Sequence, residues 1–136
     1  RLHHRAGGLE RSVVKLDDHS EIYHVVYDLG IPGFQPREGL TKGVWKNQGD
    51  GSLITAYEDA EHEDFSEQSG KYVRASTLAL WKFDALPPRG GVPQTQVMWY
   101  IQADPKGLIP KFMVNAAIVD TLKQLSNMRK KFDKSL

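Results

Sequence analysis

Val97-Met98-Trp99-Tyr100-Ile101-Gln102-Ala103, followed by Asp104-Pro105-Lys106-Gly107 and a long run to Phe132, is the stretch that decides the fold. Period-two alternation puts Val97, Trp99, Ile101 and Ala103 on one face of a strand and Met98, Tyr100 and Gln102 on the other. The first face is the more uniformly apolar. Pro105 and Gly107 end the strand, Pro because it lacks a ladder donor and Gly because it tolerates unusual φ. Pro110 falls where a first helical turn accepts it, since its missing N–H would have no helical partner there.

The run after Pro110 predicts an amphipathic helix about 35–40 Å long at 1.5 Å per residue. Val114, Ile118, Thr121, Leu122, Leu125, Met128 and Phe132 recur at spacings of three and four, with Asp120, Lys123, Asn127, Lys130 and Lys131 opposite. Its first half is apolar beyond one stripe, because Phe112, Met113, Ala116, Ala117 and Val119 surround it. That half is expected to touch something on more than one side: a deeper core, a covering loop or a ligand. Arg129, Lys130, Lys131 and Lys134 suit the negative pole of the helix dipole.

Upstream of this stretch the chain reads as sheet. Ser12 to Leu16 and Ile22 to Tyr27 flank the polar turn Asp17-Asp18-His19-Ser20, either as a hairpin or as one strand with a bulged corner. Gly30 to Gly39 is a loop, Leu40 to Lys46 a strand, and Asn47-Gln48-Gly49-Asp50-Gly51 a turn into Ser52 to Tyr57. Glu58 to Gly70 is acidic and holds His62; its charges follow no face, which favours a solvated loop over a carboxylate–imidazole metal site. Tyr72 to Phe83 reads as one strand, and Asp84 to Pro93, with Pro87-Pro88 and Gly90-Gly91, as a long loop. Residues 1–8 read as a flexible leader whose adjacent His3 and His4 lack one-face ligand spacing. Residues 9–136 form one domain.

Strands in succession followed by one terminal helix make an α+β fold: a curved antiparallel sheet gripping a long carboxyl-terminal helix, with a groove or cavity between them. The totals agree. The chain has 136 residues, 40% hydrophobic and 26% charged, which is the size of one domain. A net charge of +1 gives no case for nucleic acid as a partner. The absence of cysteine excludes disulfides and thiolate chemistry, and fits a reducing, cytoplasmic setting. No apolar run reaches the length of a membrane span. No metal or cofactor is expected.

Several of these residues resemble a known family. Asp104-Pro105-Lys106-Gly107, with Ile109-Pro110 and Val114-Asn115, resembles the strand-to-helix junction of START (steroidogenic acute regulatory protein-related lipid transfer) domains. Tyr72-Val73-Arg74-Ala75 is similar to a strand motif of that family, and Pro36-Arg37-Glu38 to its Pro-Arg-Asp, with Glu in place of Asp. Gly51-Ser52, Glu61-His62 and Met128-Arg129-Lys130 fall in matching order. The resemblance covers the carboxyl-terminal two-thirds of such a domain, without its usual amino-terminal helix and first strands.

It implies a helix-grip fold that encloses one lipid, of the sterol, phospholipid or ceramide class, for transfer or sensing at a transient membrane surface, without catalysis. The lining is then expected from Trp81, Phe83, Trp99, Ile101, Phe112, Met113 and Ala116. Arg74 and Arg37 are candidates for the head group, although an ion pair with Glu38 or Asp104, or a backbone contact, suits a buried arginine better. The expected gate is Leu86 to Pro93 with the first half of the helix, near Lys82, Arg89, Lys106 and Lys111. The rival readings are a polyketide cyclase-like enzyme, which would need an acid/base pair involving His24 or His62, and a regulatory module that transports nothing.

Overall fold

A computed structural model describes residues 8–66 and 71–133. His3, His4 and all of the expected leader except Gly8 lie outside the described residues. The elements in chain order are β1 (Gly8–Lys15), β2 (Ser20–Tyr27), β3 (Arg37–Asn47), β4 (Leu53–Asp59), a 3-10 turn (Glu63–Phe65), β5 (Val73–Arg74), β6 (Ser76–Arg89), β7 (Val92–Asp104) and α1 (Lys111–Phe132). Strand follows strand and one helix closes the chain, so the α+β helix-grip architecture expected from the sequence is the one observed.

The sheet order is β1-β2-β3-β4-β6-β7, antiparallel throughout, with short β5 lying parallel to the start of β3. Turn chemistry fixes its first hairpins. The Asp17 carboxylate accepts from the His19 backbone N–H and the Ser20 hydroxyl, both at 2.7 Å. Asp50 repeats the device on Ser52, accepting from its N–H at 2.8 Å and its hydroxyl at 2.6 Å. The Asp17 to Ser20 region is therefore a hairpin turn and not a bulged corner.

Register places alternate residues on two faces. Tyr57 of β4 lies opposite Ala79 of β6, which lies opposite Ile101 of β7. One row along, Thr55, Trp81 and Trp99 are aligned in the same way. This face carries Val97, Trp99, Ile101 and Ala103, as the alternation predicts. On the other face Ile22, Val26 and Leu40 are buried at the β2–β3 end under the segment that leads from β4 to β6. Phe65 of that segment stacks on His24, ring centroids 4.4 Å apart.

Two expectations are corrected. Asp84 to Pro93 is not a loop: β6 runs to Arg89, the turn is Gly90-Gly91, and β7 starts at Val92. Pro87 and Pro88 fit because β4 pairs with β6 only between Ala79 and Phe83, so beyond that point β6 has β7 as its one neighbour. The pairing also shifts register between Leu86 and Arg89, where the missing N–H groups cost little. Tyr72 to Phe83 is likewise not one strand. It breaks at Ala75, whose N–H is taken by the Glu38 carbonyl at 2.8 Å, so β5 fills the place beside β3 that β4 has left.

Helix α1 has 22 residues, about 33 Å at the standard rise. Met113, Val114, Thr121, Leu125 and Met128 are half-buried, whereas Ile118, Leu122 and Phe132 of the expected stripe are exposed. The helix stands off from the sheet and does not lie flat on it.

Candidate functional site

The site begins at the turn that aims the helix. Lys106 and Gly107 both take positive φ, 53° and 73°, so the chain reverses within two residues. For Lys106 this backbone region costs about 1–2 kcal/mol. Local and distant bonds hold it there. Asp104 accepts from the Lys106 N–H at 2.9 Å and meets its ammonium at 2.8 Å. Arg37, buried at the start of β3, donates from Nε to the Pro105 carbonyl at 2.8 Å and from Nη2 to the Lys106 carbonyl at 3.0 Å. A third bond goes to the Gln35 carbonyl. A Cβ at Gly107 would come within 3.1 Å of Arg37 Nη2 and crowd the guanidinium, and the positive φ itself favours glycine there.

Beyond the turn, a hollow of about 740 Å³ separates α1 from the end of β7 and the loop after β2. Ile101, Ala103 and Pro105 form its β7 wall, with Tyr100 and Gln102 at the strand's other face. Ile109, Met113, Ala116, Ala117 and Thr121 form the helix wall, and Tyr27, Leu29 and Ile31 close the third side. The two alanines leave the space that larger side chains would fill. Burial raises the Tyr27 hydroxyl above its ordinary value, and nearby Arg37 partly offsets the effect.

The nine residues singled out from the sequence separate into groups. Ile101, Met113 and Ala116 line the hollow. Trp81, Phe83 and Trp99 lie on the face that carries Ile101 but outside the lining, stacked on one another: Trp81 is 4.6 Å from Trp99 and 6.1 Å from Phe83, centroid to centroid. Phe112 is 69% exposed and is not among the lining residues. Both arginines take the protein-bound roles weighed for them. Arg37 clamps the turn. Arg74 donates from Nε to Glu38 at 2.9 Å and from Nη2 to the Phe65 carbonyl at 2.9 Å.

Glu38 binds His24 Nε2 with its other oxygen, at 2.8 Å. His24 is thus buried in this hydrogen-bonded network under Phe65. A second depression, about 470 Å³, lies over this network between Glu61, His62, Phe65 and Arg74. Among the described residues no group of histidine and carboxylate side chains is placed to hold a metal ion. The hollow also has lining residues that sequence reasoning missed: Tyr27, Leu29 and Ile31. Their signal was two aliphatic side chains in a Gly/Pro loop, where polar residues are usual.

No family model matches the chain. "Protein ENHANCED DISEASE RESISTANCE 2-like" of Arabidopsis thaliana is 32% identical over 133 residues, 92% of this chain and 18% of that protein. The chain therefore spans under a fifth of that relative's length. Among solved structures, the lipid transfer and protein localization domain of human StarD13 (DLC2) superposes with a TM-score of 0.71 at 20% identity, covering 94% of this chain and 63% of that one. Human StAR-related lipid transfer protein 5 gives 0.74 at 16% identity, covering 91% and 59%. A STAR-related lipid transfer protein from Xanthomonas axonopodis gives 0.64 at 19% identity, covering 85% and 61%. This chain thus spans about three fifths of each of these structures.

Proposed function

We propose that this chain, which has the helix-grip fold of START domains, binds a single lipid in the hollow beneath its carboxyl-terminal helix, for transfer between membranes or for sensing. The observation that carries the reading is the hollow itself: about 740 Å³ between a helix and a sheet that do not close on each other, lined mainly by aliphatic and aromatic side chains. Water in such a space is poorly bonded, and a hydrocarbon chain that replaces it gains about 0.8 kcal/mol per buried CH₂.

The lining also argues for enclosure over chemistry. Among the described lining residues there is no histidine, carboxylate, lysine or arginine. His24, the strand histidine a cyclase-like enzyme would call on, is bound to Glu38 in the network under Phe65. An acid/base pair would have to face the bound molecule.

Cargo of this kind comes from a bilayer, and the rim of the hollow suits one. Leu108 is 98% exposed and Phe112 69% exposed, each beside a residue of the lining, Ile109 and Met113. Lys111 lies between them in sequence. The gate in this reading is the Leu29–Ile31 loop with the first turns of α1. The β6–β7 hairpin tip lies outside the lining, and Lys82 and Lys106 near the expected gate are paired with Asp84 and Asp104.

The test is to incubate the protein with mixed-lipid vesicles, re-isolate it and identify bound lipid by native mass spectrometry. One lipid per chain is expected. A chain that stays folded by circular dichroism yet retains no lipid from any mixture overturns the proposal.

A further inference from the structure

One segment has no part in the lipid site: Leu86-Pro87-Pro88-Arg89, in the outer half of the β6–β7 hairpin. β4 pairs with β6 no further than Phe83, so residues 84–96 form a two-stranded arm that projects past the body of the sheet. From Asp84 to Arg89, at about 3.3 Å per residue, the arm reaches roughly 20 Å. Gly90 and Gly91 close it, with φ of 60° and 79°, the positive values that a tight two-residue hairpin turn requires. The hollow lies at the opposite end of β7, where Ile101, Ala103 and Pro105 line it.

Within the arm the ladder is interrupted. Leu86 pairs with Gln94 and Arg89 with Val92, so Pro87 and Pro88 together stand opposite Pro93 alone. This is a bulge in which none of the three residues has an N–H. Pro93 has no donor to give the carbonyls of Pro87 and Pro88. Proline fixes φ near −65° and keeps the residue before it extended, so the run from Leu86 to Pro88 is held close to polyproline II. Leu86, Pro87, Pro88 and Arg89 are all exposed. Among the described residues Arg89 has no ion-pair partner. A single proline would be enough to guard this edge against stray pairing. Two in succession, with open carbonyls and an unpaired cation beside them, make a recognition surface.

We infer that this arm is a protein-docking element, and that its partner is a small domain that grips polyproline II between aromatic side chains and carries carboxylates beside that groove. The aromatic rings take Pro87 and Pro88, a donor in the groove meets their carbonyls, and a carboxylate meets the Arg89 guanidinium. The segment is already extended in the free protein, so little ordering entropy is lost on binding. The arm and the hollow lie at opposite ends of β7, so the partner and a lipid can be held at the same time. Docking then positions the chain without competing for its cargo. The inference does not depend on the lipid-binding reading.

The experiment titrates the whole chain with a panel of purified WW domains and proline-binding Src-homology domains, and separately with vesicles of phosphatidylcholine and phosphatidylserine. The protein is used as wild type, as Arg89→Gln and as the double variant Pro87→Ala, Pro88→Ala. At least one domain with an acidic groove should bind the wild type, and a free proline-rich peptide should displace it. Arg89→Gln should weaken that binding by about tenfold, the loss expected for a hydrogen bond to a charged group, and the double variant by at least as much. Vesicle binding and the melting temperature should not change. Arg89→Gln alters an exposed side chain, so it keeps the test valid even where the double variant disturbs the arm. A wild type that binds no domain of the panel overturns the inference, and so does binding that both variants retain. Loss in the double variant alone, with Arg89→Gln as tight as wild type, overturns the acidic character assigned to the partner. Vesicle binding weakened by both variants, with no domain bound, would give the arm to a membrane and overturn the inference as well.

Discussion

Glu38 shows how much one side chain can hold. Its carboxylate is buried, and its two oxygens join β2 through His24 to β5 through Arg74. A glutamate reaches both partners from a strand position where the family pattern has the shorter Asp. Removing the carboxylate as Glu38→Ala leaves a largely buried guanidinium without its counter-charge. The expected cost is about 3–5 kcal/mol, read from the urea midpoint. If the midpoint moves by less than a tenth of that, the network is incidental. The choice between a lipid contact and an ion pair for Arg74 was open in the sequence because both need a lone arginine in apolar strand; only the distance to Glu38 decides it.

The exposed turn aspartates act differently. Asp17 and Asp50 sit below the ordinary 3.8, each chiefly through the side-chain hydrogen bond from its serine, Ser20 or Ser52. A folded value below the unfolded one means that the stabilisation is complete above the ordinary value and is lost as pH falls through the lowered one. Asp50→Ala should therefore lower the melting temperature at pH 7, and the gap from wild type should narrow below about pH 4. A gap that stays constant from pH 7 to pH 2 would show that the carboxylate is not the group responsible.

At the scale of elements, the junction between β7 and α1 depends on β3. The turn at Lys106 and Gly107 is strained, and the bonds from Arg37 come from a residue nearly seventy positions earlier. Arg37→Ala should remove its bonds to three carbonyls, those of Gln35, Pro105 and Lys106, and cost about 2–4 kcal/mol, on the scale of bonds to a charged donor. It should also loosen the angle at which the helix leaves the sheet, visible as faster proteolysis near Leu108. Arg37→Ala with unchanged stability and unchanged cleavage would dismiss the clamp.

The elements themselves were mostly legible. Alternation over Val97–Ala103, the turn residues at Asp17 and Gly49, and the spacing of three and four from Val114 to Met128 each report a local rule that the fold obeys. The β6–β7 hairpin was not legible, because Pro87-Pro88 reads as a break wherever the neighbouring strand is unknown. The prolines are harmless only because β4 ends at the level of Phe83, which is a fact of tertiary structure. The division of the aromatics was hidden for the same reason. Trp81 and Trp99 prefer each other across the strands, whereas Leu29 and Ile31 come to the hollow from a loop whose path no periodicity records.

At the scale of the whole molecule, the helix and the sheet are joined by one clamped turn and separated by the hollow, which is where the proposed lipid would sit. Two measurements follow. Leu108→Asp should weaken binding to vesicles by about tenfold or more, the loss expected for one large apolar side chain withdrawn from lipid, with lipid already loaded in the hollow retained. Equal vesicle binding by the variant would remove Leu108 from the membrane contact. The second concerns local stability. An element with few packing partners opens more readily than the strands it covers. In the empty protein the amides of α1 should therefore exchange far faster than those of β2 and β3, whose buried residues Ile22, Val26 and Leu40 form the core. A lipid that touches Ile101 on one side and Met113 on the other bonds the helix to the sheet by mass action, and a ligand at 100 times its Kd adds about 2.7 kcal/mol. That gain should appear selectively as slowed exchange from Met113 to Leu122, with β2 and β3 protected little more than before. Uniform protection across the chain would mean that the helix is already part of the core. No added protection in α1 after one lipid is bound would place the cargo somewhere other than beneath it.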